Sequence, residues 1–320
     1  MEDNPLFWAG FFVLITVLLC LDLFVFNRGA HKVSTKKALK LTAFWISVAM
    51  VFCVFVYITM GSIRATEFLA GYILEETMSL DNVFVFIIVF SSFAVPEEYQ
   101  HKALFYGVIG AIAMRTIFIF AGTALLHEFE WIMYIFGALL IYAAIKTMFQ
   151  KEGAKDPSNN LLVRAAKRVM RVSDEYDGDK LFTVKNGVRM ATPLFIAIIA
   201  LESTDLIFAI DSIPAVLAIT DNFFIVLTSN IFAILGLRSL YFALNGSVHN
   251  FPYLKYGIGI ILLFVGIKML LHTQLSEWFQ WWDDLSLTIS LVVIAACIIS
   301  SILISVILNK RQGNADSGTA

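Results

Sequence analysis

Charged residues are scarce in this chain of 320 residues, at 15% of the sequence. Soluble domains carry about a quarter charged residues. The apolar residues form long runs here, and the charges collect between those runs. A soluble globular domain is therefore excluded, and the pattern indicates that lipid is the solvent. The net charge of −2 gives no basis for binding nucleic acid.

Cysteine is scarce as well. The chain has three, Cys20, Cys53 and Cys297, which lie far apart and each within an apolar run. This spacing fits neither a disulfide framework nor a thiolate metal site, so we interpret them as packing or lipid-facing residues. The basic start and short apolar core of a signal peptide are also missing, and we expect the run at 6–26 to be retained as a helix.

The long apolar runs predict the fold class, because a transmembrane helix needs about 20 apolar residues. The sequence predicts an all-α polytopic membrane protein with about nine transmembrane helices. We place them at 6–26, 41–60, 67–93, 104–126, 131–149, 191–219, 223–243, 253–271 and 285–308. The corresponding segments are two N-terminal helices (1–66), three helices (67–149), a polar loop (150–190), three more helices (191–271) and a C-terminal helix with its tail (272–320).

The distribution of lysine and arginine predicts the orientation. If the N-terminus is outside, 18 of the 23 basic residues fall in inner segments and only Arg64 falls in an outer one. The other four lie within predicted helices. Because cytoplasmic loops are the ones enriched in lysine and arginine, we expect the N-terminus outside, and the loop at 150–190 and the C-terminus in the cytoplasm.

The polar loop contains a segment, 161–172, that predicts a basic amphipathic helix. Leu162, Ala165, Ala166 and Val169 share one face of that helix, and the basic residues lie elsewhere. This pattern is typical of a helix that lies on the inner leaflet of the membrane. A regulatory or partner-docking element is the alternative interpretation.

The predicted helices three to five are repeated as helices six to eight. The apolar segment at 129–149 matches the one at 251–271 in length, aromatic start and an Ile-Lys pair at the same offset. The polar residues in register are Arg115 with Arg238, Glu75 with Asp205, Asp81 with Asp211, and Asn82 with Ser212. Three is an odd number, so the second copy enters the membrane from the opposite side. Such an inverted repeat is typical of transporters, whose substrate site lies where the halves meet.

Acidic residues inside the predicted helices are the strongest functional signal. They are Glu75, Glu76 and Asp81 in the third helix, Glu202, Asp205 and Asp211 in the sixth, and Asp22 near the inner end of the first. A charged group at a helix centre costs about 2.5–3.5 kcal/mol on the insertion scale. These groups must therefore face a wet or protein-lined cavity and find partners there.

Arg115 and Arg238 are the natural partners, and we expect them to hold carboxylates of the two halves. A structural ion-pair network of this kind accounts for two carboxylates but not for the six in the third and sixth helices. The remainder indicates either protonated acids or a bound cation. Carboxylates accompanied by Asn82 and Ser212 offer oxygen ligands, which suit Mg, Ca or Mn rather than Zn or Cu.

Pro214 follows Asp211 by three residues, and the third and sixth predicted helices are the longest. Proline removes a backbone donor, so the sequence predicts an unwound turn near Asp211. Interrupted helices of this kind free backbone carbonyls for an ion in many transporters.

Three segments resemble the TerC family of integral membrane proteins, and its Alx-like members especially. They read GYILEETMSLDNVFVF, ATPLFIAIIALESTDLIFAIDSIPAVLAIT and FIVLTSNIFAILGLRSLYF, and the resemblance covers about 7–271. It implies manganese handling: Mn²⁺ efflux in Alx-like members and supply of Mn²⁺ to exported proteins in others. The family's acidic motif falls on Glu75, Asp81, Glu202, Asp205 and Asp211, with Asn82 and Ser212 following two of them; Glu76 lies outside it.

Together these observations predict an exporter of divalent cations, with Mn²⁺ first, in the bacterial inner membrane. Asp81 and Asp211 would bind the ion directly, and the other motif residues would complete the shell or carry protons as the coupling ion. We expect no enzymatic activity and no prosthetic group. One alternative is a scaffold that delivers Mn²⁺ to exported metalloproteins or the secretion machinery. An intramembrane aspartyl protease is a weaker alternative, since no Gly-x-Gly-Asp motif occurs.

Overall fold

The computed structural model describes residues 5–22, 35–129, 131–149, 161–185, 187–245, 254–278 and 282–317. Nearly all of this part is helical. The helices are α1 (Pro5–Leu21), α2 (Thr35–Met60), α3 (Ser62–Ser92), α4 (Glu97–Glu128), α5 (Ile132–Phe149), α6 (Leu161–Val169), α7 (Pro193–Leu217), α8 (Phe223–Leu244), α9 (Leu254–Trp278) and α10 (Trp282–Ser317). Two strands, β1 (Phe182–Lys185) and β2 (Val188–Ala191), lie between α6 and α7.

Six helical segments of the described part are long and apolar enough to cross a membrane. They are Thr35–Met60, Glu97–Leu126, Ile132–Phe149, Pro193–Leu217, Phe223–Leu244 and Leu287–Ser305, and Trp8–Leu21 is a shorter apolar helix. The mostly helical membrane fold is thus confirmed. The count of nine spans, the inverted repeat and the orientation of the termini stay predictions.

Several helices extend beyond the apolar runs that predicted them. α2 begins at Thr35 rather than at 41, α3 begins at Ser62 rather than at 67, and α10 spans Trp282–Ser317 rather than 285–308. Hydropathy marks where lipid ends, whereas a helix continues into water as long as its residues are good helix formers. The Lys, Ala and Leu residues at 36–41 extend α2 in this way.

The unwound turn predicted near Asp211 is wrong. α7 is a continuous helix from Pro193 to Leu217 with Pro214 inside it, and α3 is also continuous. Pro214 lies in the last turn, where its ring removes one backbone hydrogen bond without breaking a longer run. Its own carbonyl still accepts from the amide of Ala218 at 3.0 Å, which closes the end of the helix.

The helices of the two predicted repeats pack across one another. α3 packs mainly on α8, α4 on α7, and α5 on α9. α8 lies at the centre, with almost every side chain buried. Aromatic rings fill the space around it, and the Phe52 and Phe232 ring centroids are 4.5 Å apart. This crossed packing brings the middle of α3, α4, α7 and α8 together, which sets the position of the site.

The segment between α5 and α7 differs from the prediction in two respects. The strands β1 and β2 pair antiparallel in a hairpin, closed by Gly187 at φ +75, so the all-α class holds only for the remainder of the described chain. The amphipathic helix ends at Val169 instead of 172, and two residues of its predicted apolar face lie on the surface of the protein, with Leu162 44% and Val169 84% exposed. Val163 lies at the edge of the same apolar face and is fully buried, because α6 packs on α7.

Candidate functional site

A buried arginine joins the two groups of helices. Arg115 on α4 is 2% exposed. Its Nη1 donates to Oε2 of Glu75 on α3 at 2.5 Å, and its Nη2 and Nε donate to Oδ1 and Oδ2 of Asp205 on α7 at 3.0 and 3.3 Å. Glu75 and Asp205 are the pair that the predicted repeat places in register. One guanidinium therefore holds equivalent carboxylates from both groups, with the two-pronged geometry that favours arginine over lysine.

Asn230 on α8 completes the surroundings of Arg115, and sequence reasoning missed it. Its Oδ1 accepts from Arg115 Nη1 at 3.4 Å, and the residue is 1% exposed. A signal was present, because an amide in the middle of an apolar helix needs a polar partner. Four helices thus meet at one polar cluster.

Arg238 does not play the equivalent role, which corrects the expectation that both arginines hold carboxylates of the repeats. Its Nη2 donates to the backbone carbonyl of Asp22 and forms an ion pair with Oδ2 of the same residue, both at 3.1 Å. Asp22 directly follows α1, outside both repeats, and is 6% exposed. The register of the predicted repeats shows only which of their positions correspond. It could not reveal the partner of Arg238, because Asp22 follows α1 and belongs to neither repeat.

The Glu202 carboxylate lies in a notch that Gly110 leaves in α4. A Cβ atom at Gly110 would lie 2.2 Å from Glu202 Oε1, whereas one at Gly107 would lie 4.0 Å from the same oxygen. Within the described part of the chain, Glu202 Oε1 is buried and accepts no hydrogen bond. A glycine at 110 is therefore needed to admit the carboxylate between α4 and α7.

We predict that Gly110→Ala displaces the Glu202 carboxylate and lowers cation flux by several-fold. The stability cost should stay below about 1 kcal/mol, because the tip of a flexible side chain gives way more easily than backbone does. Flux into vesicles and thermal unfolding in detergent measure the two effects. Gly107→Ala is the matched control and should leave both unchanged. Equal flux in the two variants would show that the position of this carboxylate does not matter.

Several buried oxygen atoms of α3 and α7 have no hydrogen-bond partner among the described residues. They are Glu75 Oε1, Glu202 Oε1, Asn82 Oδ1 and Ser212 Oγ. Buried oxygens without a partner are costly, and an ion that accepts their lone pairs would remove that cost. These donor types fit a hard divalent cation.

The metal-ligand set itself is only partly visible. Asp81 and Asp211 lie in α3 and α7, but their side chains lie outside the described part of the structure. Among the side chains that are described, no three of His, Cys, Asp and Glu are arranged to hold a metal ion. Arg115 explains part of this absence of a metal-ligand set, because its guanidinium already forms ion pairs with Glu75 and Asp205.

Glu76, which the sequence pattern leaves aside, is directed elsewhere. Its carboxylate faces α8, where a Cβ at Gly236 would lie 3.7 Å from Oε1 and 3.8 Å from the Cβ of Trp45. One residue of α-helix turns a side chain by about 100°, so Glu76 points away from the face that carries Glu75. Its Oε2 is buried and makes no hydrogen bond within the described chain.

Bacterial membrane proteins are similar to this chain over nearly its whole length. An uncharacterized membrane protein of Myxococcus xanthus is 42% identical over 314 residues, which cover 98% of this chain and 96% of the relative. A candidate membrane-bound redox modulator named Alx from Salmonella typhi is 43% identical over 277 residues, covering 84% and 86%. Its counterpart from Escherichia coli is 39% identical over 324 residues, covering 98% of both chains. No solved structure matches the chain significantly.

The family comparison agrees with these relatives. The description "Integral membrane protein TerC family" matches residues 60–313, which contain the Arg115 cluster and both acidic segments. The resemblance noted from the acidic motifs is therefore confirmed, and the chain belongs to the TerC family of integral membrane proteins.

Proposed function

We propose that this protein is a transporter that exports divalent cations, Mn²⁺ in particular, across the bacterial inner membrane. The observation that carries the proposal is the buried contact of Arg115 with Glu75 and Asp205. Ionisable residues inside a membrane bundle are costly and mark ion pathways far more often than they serve packing. Here they come from both predicted repeats and meet at one point.

Arg115 acts in this proposal as an internal substitute for the transported ion. Its positive charge neutralises Glu75 and Asp205 while no cation is bound. A divalent cation that reaches the cluster competes for the same oxygens. Asn82 Oδ1 and Ser212 Oγ, which have no hydrogen-bond partner among the described residues, lie about two helical turns further along α3 and α7, next in sequence to Asp81 and Asp211. Asp81 and Asp211 would supply the direct charge, and protons would neutralise whichever carboxylates the ion leaves.

The crossed packing of the helices supports two inverted halves. Each of the first two helices in one group packs on a helix of the other, and the third helices, α5 and α9, pack on each other. A two-fold arrangement of repeats produces this pattern, and rocking of one half against the other would expose a central site alternately to each side. Oxygen donors leave Mg, Ca and Mn open, and the TerC resemblance selects Mn²⁺.

The test is Mn²⁺ flux in proteoliposomes that contain only the purified protein. We expect saturable flux, followed with a dye that Mn²⁺ quenches, and no flux in empty vesicles. A scaffold that delivers Mn²⁺ to partner proteins would bind the ion but move none without its partner. Absence of flux from folded, correctly inserted protein would therefore contradict the transporter proposal.

The name of the Alx relatives points to redox modulation, and the same assay examines that role here. The chain's thiols, Cys20, Cys53 and Cys297, are all free. We predict that the variant with all three changed to serine keeps Mn²⁺ flux within about two-fold of the parent, because oxygen rather than sulfur atoms surround Arg115. Loss of flux in a folded thiol-free variant would favour redox chemistry over the carboxylate mechanism.

A further inference from the structure

A second polar feature lies far along the chain from the carboxylate cluster. A cavity of about 830 Å³ opens between the second half of α6, the segment that leads to β1, the first turn of α7 and the end of α3. Its walls include Phe93, Lys167, Arg168, Arg171, Asp174 and Pro193. Its volume lies within the roughly 300–1,000 Å³ typical of small-ligand sites.

The cavity carries an excess of positive charge. Three of its lining residues, Lys167, Arg168 and Arg171, are basic and one, Asp174, is acidic, which leaves a net charge of two. Within the described part of the chain, none of the three cations forms a salt bridge. Lys167 lies 5.9 Å from the centroid of the Phe93 ring, which directs it into the cavity.

Two acidic residues that follow α6, Glu175 and Asp177, do not neutralise these cations, because each forms an ion pair with a lysine outside the cavity. Glu175 pairs with Lys185 at 2.8 Å, and the hydrogen bond from this ammonium holds the pKa of Glu175 below its ordinary value. Asp177 accepts from Thr183 at 2.8 Å and pairs with Lys180 at 3.1 Å. Among the described residues, Asp174 is therefore the acidic side chain left to offset the three cations of the cavity.

Asp179 and Tyr176 tie this region to the ends of the long helices. Asp179 pairs with Lys102 on α4 at 2.9 Å. The Tyr176 hydroxyl donates to the carbonyl of Phe93, just beyond α3, at 2.7 Å. Since α7 also begins at the cavity, the cavity lies where the apolar bundle ends, at the level where lipid head groups would lie.

The rim of the cavity is apolar as well as basic. Val169 lines it and is 84% exposed, and Leu162 on the same helix is 44% exposed. A helix that combines exposed aliphatic side chains with arginine and lysine is suited to the membrane interface. A small soluble anion would satisfy the charges but leave Val169 in water, whereas a lipid satisfies both.

We propose that this cavity binds the phosphate head group of an anionic membrane lipid. Arg168 and Arg171 would hold the phosphate oxygens, for which the guanidinium fork is well matched. The start of α7 adds the favourable end of a helix dipole. The lipid would fasten α6 and the β1–β2 hairpin to the leaflet beside α7, the helix that carries Asp205 and Glu202.

Binding to the delipidated full-length protein in an uncharged detergent tests the proposal. Native mass spectrometry would follow titration with phosphatidylglycerol, with zwitterionic phosphatidylcholine and with soluble glycerol phosphate. We expect phosphatidylglycerol to bind at least ten-fold more tightly than either of the others. Each basic residue near an anionic membrane surface contributes a factor of about five, so Arg168→Gln with Arg171→Gln should weaken binding about 25-fold.

The matched control is Arg164→Gln with Lys180→Gln, which removes the same charge from outside the cavity and should change affinity less than two-fold. Asp174→Asn should strengthen binding several-fold, because it raises the net positive charge of the cavity; this variant keeps the test decisive if the double arginine variant does not fold. Equal weakening by the control would mean diffuse attraction only and overturn the site. Glycerol phosphate binding as tightly as phosphatidylglycerol would overturn the lipid as its occupant.

Discussion

Arg115→Gln is expected to destabilise the protein by about 3–5 kcal/mol, because it leaves the Glu75 and Asp205 carboxylates buried without the cation that holds them. The side chains concerned are at most 4% exposed, so water cannot replace the guanidinium. Thermal unfolding of the purified protein in detergent measures the loss, and the amount inserted in the membrane measures it in cells.

A rescue experiment separates the charge from the shape of the arginine. Arg115→Gln combined with Glu75→Gln and Asp205→Asn removes all three charges and should recover most of the stability, since hydrogen-bonding side chains of similar size remain. Flux should stay lost, because two of the carboxylates that complete the ligand shell are gone. Arg238→Gln is the comparison: it frees only Asp22 and should cost less. If Arg115→Gln unfolds at the parental temperature, the two carboxylates are not charged in the resting protein.

The sequence could predict the part of the site that consists of charged residues within apolar membrane segments. Arg115, Glu75 and Asp205 are expensive where they lie, so their presence in apolar runs already indicated a shared polar cluster. The spacing of the two acidic segments also places Glu75 in register with Asp205, and the structure brings both carboxylates to Arg115. That register needs no knowledge of packing, because it is taken from the order of the polar residues in the two segments.

The sequence could not predict the contacts that depend on which helices pack against each other. Gly110 opens a notch for Glu202 only because α4 packs on α7, and nothing near either residue in the chain records that contact. The partner of Arg238, Asp22, lies more than two hundred positions away. For α6 the pattern gave the apolar face but not the part of it that is covered, because packing on α7 buries Val163 and leaves Val169 exposed.

The β1–β2 hairpin is a different case, because its signal was present in the sequence. Asn186 and Gly187 separate two short segments that contain threonine and valine, and this pair is a strong local signal for a two-residue hairpin turn. The polarity of 150–190 suggested a plain loop instead. A polar segment is one that contacts water, and both a surface hairpin and a loop do so. Polarity alone therefore does not distinguish them.

The neutralised resting cluster suggests how an ion is accepted without an open charge in the membrane. Arg115 keeps Glu75 and Asp205 paired, so, under the proposed function, these carboxylates are compensated while no ion is bound. The charge that attracts the ion must then come from other acidic residues on the same helices. Asp81 and Asp211 are the candidates, one in α3 and one in α7.

Asp81→Asn and Asp211→Asn are each expected to abolish Mn²⁺ flux while membrane insertion stays normal. The asparagine side chain keeps the shape of aspartate and removes its charge, so the change tests electrostatics more than packing. The residues that follow, Asn82 and Ser212, are buried at 1% and 0% exposure, with side-chain oxygens that accept no hydrogen bond from the described residues.

Glu76→Gln is the matched control for the aspartate variants, since it also removes one carboxylate charge from α3. It should leave most of the flux, because the Glu76 side chain faces Gly236 and Trp45 rather than the Arg115 cluster. The assay is the same proteoliposome flux, with the amount of inserted protein measured for every variant. Parental flux from the variant that combines Asp81→Asn with Asp211→Asn would rule out the paired-aspartate site. Loss of flux in Glu76→Gln equal to that in Asp81→Asn would show instead that the total acidic charge of α3 matters, and not the position of one carboxylate on it.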